Sequence, residues 1–410
     1  MMNNRNSDNA IKLTTSRHSG TDKIKLLLIL GSLAAFGPLT IDMYLPAFPQ
    51  ISESLQTSTS LTQLSLTFCL LGLASGQIIA GSLSDVYGRR TPLIIGLIVF
   101  VFASILCAMS PSIWVLILSR FLQGLASATG IVISRATVRD LYSGIELTKF
   151  YALLMLVSGV APILAPIVGG QILLFTTWQG VFYVLSAIGA ILLVFVILGL
   201  RETLPTTRRS QGGIKNTLCT YRSLLTDRFF MGLALTQGLV GAAMFTYISG
   251  SPFVLQNIYG ASPQMFSVFF AINGAGIIIA SQLTSRLAER FSVTTLLAIG
   301  LTTATIGGVS LLIMIIVGAA LPGILLALFL VVSSVGIINP ASFTMAMQTK
   351  GQSAGSAAAV LGLTSYLFGA IAAPIAGISG SDTALPLGIS IATAEICAVF
   401  CYVLLIRRNR

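Results

Sequence analysis

Apolar residues in this chain run in long blocks, separated by short stretches that hold glycine, proline, serine and charge. Neither the strict alternation of a half-buried strand nor the single apolar stripe of a soluble helix describes them. A hydrocarbon layer of ~30 Å takes roughly 20 apolar residues per helix. At that scale the blocks number twelve, and they predict helices over 24–46, 60–82, 92–110, 112–134, 149–171 and 178–200, then over 229–255, 262–284, 293–317, 321–345, 355–378 and 385–406. The longest connection on the outer side is expected from about Pro49 to Ser60. The first block follows a polar stretch and lacks a cleavage site, so it reads as a retained helix.

The stretch 201–228 differs in kind. It carries Arg201, Arg208, Arg209, Lys215, Arg222 and Arg228 with Pro205 and the Gly212–Gly213 pair, the composition of a linker, with a short surface helix expected over 214–225. The chain therefore divides into a tail (1–23), a six-helix half (24–200), a basic linker (201–228), a second six-helix half (229–406) and a short tail (407–410). Pro46 and Gln50 at the end of the first block recur as Pro252 and Gln256 at the end of the seventh, at one common offset. The fold class is an all-α membrane protein of twelve transmembrane helices in two six-helix bundles. Parallel repeats of this kind suit two halves that rock about a central site.

Charge sets the orientation. Apart from Arg120, the basic residues fall in the tails, the linker and alternate connections: Arg89 and Arg90; Arg135, Arg139 and Lys149; Arg286 and Arg290; Lys350. Basic residues are retained on the cytoplasmic side, so both termini are expected there. Hydrophobic residues make up 55% of the chain and charged ones 9%, with a mean hydropathy of +0.93. A soluble domain could not cover its surface with so little charge. The net charge of +11 is spread over short loops and forms no single basic face, which excludes a nucleic-acid partner. Five cysteines without ligand spacing, and one histidine, His18, in the polar tail, leave no candidate metal site. Paired catalytic carboxylates are also missing, so the chain does not read as an enzyme.

A few polar residues interrupt the apolar blocks. Arg120, in Arg120-Phe121-Leu122-Gln123-Gly124 of span 4, costs ~2.5–3.5 kcal/mol at a bilayer centre unless it faces the bundle interior. Asp42, in Asp42-Met43-Tyr44-Leu45-Pro46 of span 1, is an ionisable group in an apolar helix, and burial against a nearby arginine makes its protonation switchable. Glu395 is a possible second acid, midway along span 12. Tyr44, Gln123, Gln237, Tyr247, Asn273, Asn339 and Tyr366 are candidate polar groups of a substrate cavity. After span 2, Gly81-Ser82-Leu83-Ser84-Asp85-Val86-Tyr87-Gly88-Arg89-Arg90 sets an aspartate beside two guanidinium groups within a glycine framework. Those residues are expected to latch the halves, with Asp85 facing the N-terminus of span 11. Span 5 carries Gly159, Pro162, Pro166, Gly169 and Gly170, which bend the helix and permit close packing.

The loop residues Gly81, Asp85, Gly88, Arg89 and Arg90 resemble the signature loop of the major facilitator superfamily, with Val86 where a basic residue is usual. The span 5 run is similar to the motif of superfamily antiporters, with Ala161 and Ala165 where glycine is usual, and Arg120 looks like the proton-coupling arginine. The Asp42-Met43-Tyr44-Leu45-Pro46 run resembles the bicyclomycin and chloramphenicol resistance (Bcr/CflA) branch of drug:proton antiporters. Some relatives carry a further glutamate in span 1 where this chain has Ala34. The resemblance implies the major facilitator fold and a monomer in the bacterial inner membrane. It implies export of small amphipathic drugs such as phenicols or bicyclomycin, driven by the proton gradient with no cofactor, Asp42 and Arg120 forming the coupling pair. A proton-coupled importer or exporter of an endogenous metabolite or siderophore on the same fold stays open.

Overall fold

The computed structural model describes residues 20–209, 224–349 and 354–407. They form twelve helices long and apolar enough to cross a membrane: α1 (Ile24–Ser54), α2 (Thr59–Tyr87), α3 (Arg90–Ala108), α4 (Ile113–Leu141), α5 (Gly144–Ile172), α6 (Trp178–Gly199), α7 (Arg228–Ile258), α8 (Pro263–Leu287), α9 (Val293–Ile316), α10 (Leu321–Gln348), α11 (Val360–Gly377) and α12 (Leu385–Arg407). Most of both tails, His18, Lys350 and most of the expected surface helix lie outside the described residues. With an even number of crossings, the first and last described residues lie at one end of the molecule, called here the terminal end.

Prolines decide where α1 breaks. A proline has no N–H to give the carbonyl four residues earlier. Pro38 therefore leaves Ala34 unserved and Pro46 leaves Asp42 unserved, and the α-helical segments end at those two residues: Gly20–Ala34, then Phe36–Asp42. A single turn of 3₁₀ helix, Leu45–Ala47, follows, and Phe48–Ser54 is helical again. The expected outer loop from Pro49 to Ser60 is thus mostly helix, because Pro49 sits at a first-turn position where it costs nothing. A second departure concerns α4. It runs on to Leu141, seven residues past the expected end, because no glycine or proline stops it. That extension carries Arg135 into the helix.

In the first half α2 and α3 pack on α4, and α3 on α6; in the second α7 packs on α11 and α12, α9 on α10 and α12, and α8 on α10. The α2–α4 contact is close enough that a Cβ on Gly124 would strike the Cys69 carbonyl. The halves meet chiefly through α5 with α8 and α2 with α11. Hydrogen bonds that join them gather at the end remote from the termini. Gln63 Nε2 donates to the Ser249 carbonyl (3.1 Å), Thr67 Oγ1 to that of Ala370 (2.9 Å) and Ser60 Oγ to that of Pro374 (3.0 Å). Gln264 Nε2 donates to the Gly170 carbonyl (2.7 Å), Ser267 Oγ to that of Pro166 (2.7 Å) and Gln256 Nε2 to that of Pro46 (3.2 Å). Pro374 again explains an acceptor, since it leaves the Ala370 carbonyl free for Thr67. Phe48 of α1 meets Phe253 of α7 at the same level, ring centroids 5.9 Å apart.

Candidate functional site

Below this seal, between the halves, lies a cavity of about 490 Å³. Its inner end is marked by Asp42, Tyr247, Phe270 and Asn273, and it extends toward the terminal end past Arg135, Gln237 and Asn339. Of the sequence-nominated cavity residues, Gln237, Tyr247, Asn273, Asn339 and Tyr366 line it, all from the second half. Asn273 Nδ2 donates to the Tyr247 hydroxyl at 2.9 Å, which fixes both. Tyr44 and Gln123 do not reach the cavity; both are fully buried inside the first half. Gln123 turns its amide oxygen to Arg120, and Tyr44 lays its ring against the same guanidinium while its hydroxyl meets Ser65 Oγ at 3.4 Å.

Asp42 lines the cavity at 5% exposure and makes no hydrogen bond or ion pair among the described residues. Its place follows from Pro46, which ends the Phe36–Asp42 helix and leaves the carboxylate in the last turn. That is the negative end of the helix dipole, an unfavourable setting for an anion.

Arg120 is fully buried against the same turn. Its Nη2 donates to the Thr40 carbonyl at 2.8 Å, an acceptor that Tyr44 would have served had the helix continued. Its Nη1 donates to Gln123 Oε1, and Gln123 Nε2 donates in turn to Ser104 Oγ at 2.8 Å. The guanidinium lies 4.0 Å from the centroid of the Tyr44 ring and 5.6 Å from that of Phe182. Desolvated cation–π contacts of this kind are worth about 2 kcal/mol or more. The expected Asp42–Arg120 ion pair is therefore not made here. The arginine caps the broken helix through its backbone while the aspartate faces the cavity.

Glu395 is fully buried in α12 and does not line the cavity; neither carboxylate oxygen has a hydrogen-bond partner among the described residues. Gly159 also departs from expectation. It lines the cavity, and a Cβ there would meet nothing within 4 Å, so no close packing depends on it in this conformation. Pro162 borders the same space. Close approach belongs to the other end of the α5 motif, where a Cβ on Gly169 would strike the Met43 carbonyl and one on Gly170 would lie 2.6 Å from Ser267 Oγ.

The loop after α2 is a compact network of the first half and the start of the linker. Arg89, 2% exposed, donates from Nη1 to Asp85 Oδ1 (2.6 Å) and Ser84 Oγ (2.8 Å), and from Nε to Asp140 Oδ2 (2.8 Å). Glu202 caps the N-terminus of α3, accepting from the backbone N–H of Arg89 (2.8 Å) and Arg90 (3.1 Å), and also from those of Thr203 and Leu204. Partial burial works against this carboxylate, but the four N–H donors hold its pKa below the usual glutamate value. Gly88 turns the chain with φ +90°, and a Cβ there would lie 2.5 Å from Glu202 Oε2. Around Gly81 a Cβ would meet only ordinary contact. The helix of span 11 starts at Ala354 among the described residues, but the partner seen for Asp85 is Arg89 and not that N-terminus.

Sequence reasoning missed three residues. Asp140 and Glu202 lie 51 and 113 positions from Arg89, with no local spacing to tie them to it. Arg135 was assigned to a connection, yet it lines the cavity and its guanidinium makes no hydrogen bond or ion pair among the described residues. Its signal was the absence of any glycine or proline between Gly130 and Ser143.

Residues 30–374 match the family model of the Major Facilitator Superfamily. The chain is 46% identical over 372 residues to the uncharacterized MFS-type transporter YdgK of Bacillus subtilis (strain 168), covering 90% of this chain and 92% of that protein. It is 28% identical over 383 residues to a bicyclomycin resistance protein homolog of Haemophilus influenzae, covering 93% and 96%. Among solved structures, an inward-facing, occupied bacterial homolog of the human lysosomal transporter Spinster superposes with a TM-score of 0.78 at 16% identity, covering 96% of this chain and 99% of that one. Twelve apolar helices, two halves sealed at one end over a central cavity, and these matches together place the chain in the Major Facilitator Superfamily of transporters.

Proposed function

We propose that the protein is a proton-coupled antiporter that exports small amphipathic antibiotics by alternating access, held in the bacterial inner membrane as a monomer with both termini cytoplasmic. The observation that carries the coupling is Asp42, a buried carboxylate at the inner end of the cavity with no partner of its own. Such a group can be neutralised by a proton or by a cationic group of the cargo, and the two then compete for it. Arg120 supports the switch indirectly. By holding the Thr40 carbonyl it offsets the negative end of the helix that ends at Asp42, so a change of charge on Asp42 alters the turn that Arg120 grips.

Drug export is supported by the resemblance of the Asp42–Pro46 run to the resistance branch and by the bicyclomycin resistance protein homolog. With the basic connections on the cytoplasmic side, the seal lies outward and the cavity faces inward. In that state the network around the Arg89 guanidinium belongs wholly to the first half, and its Asp85 carboxylate, 49% exposed, is free to engage span 11 when the inner end closes. A membrane potential supplies ~2.3 kcal/mol per charge per 100 mV to the inward proton step. The test is a resistance and accumulation panel of phenicols and bicyclomycin in cells stripped of other exporters. Lower accumulation that a protonophore restores is the expected result. Protonophore-sensitive uptake of a labelled metabolite, without resistance, would favour the metabolite carrier.

A further inference from the structure

The cavity holds one cation that the proton step does not use. We propose that it is built for an amphoteric ligand, with an ammonium group against Asp42 and a carboxylate against Arg135. This rests on the transport reading above and narrows its substrate class. Both charged groups border the cavity, and neither has a hydrogen bond or ion pair among the described residues. An arginine left unpaired beside mostly apolar walls is costly, and a planar guanidinium matches a carboxylate through two parallel hydrogen bonds. Topology does not require Arg135 there, because Arg139, one turn on, is exposed and serves the positive side of the membrane.

The two charges stand too far apart to satisfy each other. A Cβ on Gly130 of α4 would lie 2.9 Å from the Leu33 carbonyl of α1, which sets these two positions side by side. Asp42 lies nine residues from Leu33 toward the seal, and Arg135 five residues from Gly130 toward the terminal end. At ~1.5 Å per residue, their Cα atoms are about 20 Å apart along the helices. Ile41, Ile131, Met244, Phe245 and Ile277 wall the space between them, and Tyr366 is within electrostatic reach of both. The fitting molecule is thus elongated, charged oppositely at its two ends and apolar in the middle.

The test uses the purified full-length protein and three tritiated probes: 4′-(aminomethyl)biphenyl-4-carboxylic acid, its methyl ester, which keeps only the cation, and its N-acetyl form, which keeps only the anion. The amphoteric compound is expected to bind about 10-fold or more tightly than either derivative, the scale of one charge-assisted hydrogen-bonded contact. In Arg135→Gln the ratio of amphoteric to ester affinity should fall to about one, whereas Arg135→Lys, also monodisperse, should keep most of it. A ratio unchanged in Arg135→Gln, an ester that binds wild type as well as the parent, or no binding of any probe would overturn the proposal. Phenicol export measured in parallel separates the two readings. Protonophore-sensitive export without this charge preference removes only the amphoteric assignment, while absence of any such export removes the drug-export reading and leaves the binding ratios to decide the amphoteric one.

Discussion

The two halves share a layout and divide the chemistry unequally. The first half supplies both charged groups of the cavity, Asp42 and Arg135, and the second supplies its neutral polar ones, Gln237, Tyr247, Asn273, Asn339 and Tyr366. The same asymmetry recurs at the loops. After α2, Arg89 is buried among Asp85, Asp140 and Ser84, while at the corresponding place after α8, Arg286, Glu289 and Arg290 are all exposed. One half is therefore rigidified around charge, and the other presents amides and hydroxyls that orient a ligand without changing protonation state. On the proposed function, the duplicated scaffold separates energy coupling from recognition.

The largest effect that could break this comparison is Asp42→Asn, which should abolish substrate-induced proton release from purified protein at matched expression. Glu395→Gln, altering an acid remote from the cavity in the second half, should leave release intact. The reverse pattern would move coupling to that half. Next comes stability. Arg89→Ala strands Asp85 and Asp140 and should cost about 2–3 kcal/mol, the scale of hydrogen bonds to charged groups, whereas Arg290→Ala should stay within about 0.5 kcal/mol, as exposed substitutions do. Equal shifts in thermal unfolding of the two variants would erase the asymmetry at the loops. Asn273→Ala should weaken ligand binding by a few-fold while protons released per ligand bound stay unchanged; a changed ratio would show that the second half takes part in coupling.

The smallest effect concerns Glu202. Its pKa is lowered in the folded protein, so its stabilising contribution is fully present above the unfolded value near ~4.3 and is lost as pH falls through the lower folded value. Thermal unfolding scanned from neutral to acid pH should show a shallower acid limb in Glu202→Gln than in wild type. Superimposable limbs would show that the cap on α3 adds no pH dependence.

The spans were legible because apolar runs of membrane length have few other readings, and Asp42 and Arg120 stood out because charge inside such a run is expensive. The break of α1 was written in Pro38 and Pro46. What the chain did not reveal was what each charge faces. Arg120 and Arg135 sit 15 residues apart on α4, about four turns and thus nearly one face. One is covered by α1 and the other borders the cavity, a difference set by the tilt and breaks of a neighbouring helix and invisible to periodicity. Tyr44 and Gln123 were placed in the cavity for the same reason, since a polar side chain in a span has two possible audiences, the ligand and a buried cation. Gly159 shows the converse. A small residue in a motif invites a close-packing reading, yet its neighbour here is empty space.

The seal between the halves has a property that bears on control. Every one of its interhelical hydrogen bonds described above joins an amide or hydroxyl donor to a backbone carbonyl, so it contains no group that titrates in the physiological range. A change of pH cannot loosen such a gate directly, and ionic strength cannot screen it. Two prolines set acceptors of this seal: Pro46, on the turn next to Asp42, offers its own carbonyl to Gln256, and Pro374 frees the Ala370 carbonyl for Thr67. A lock made this way keeps its bonds at any pH at which the fold itself survives.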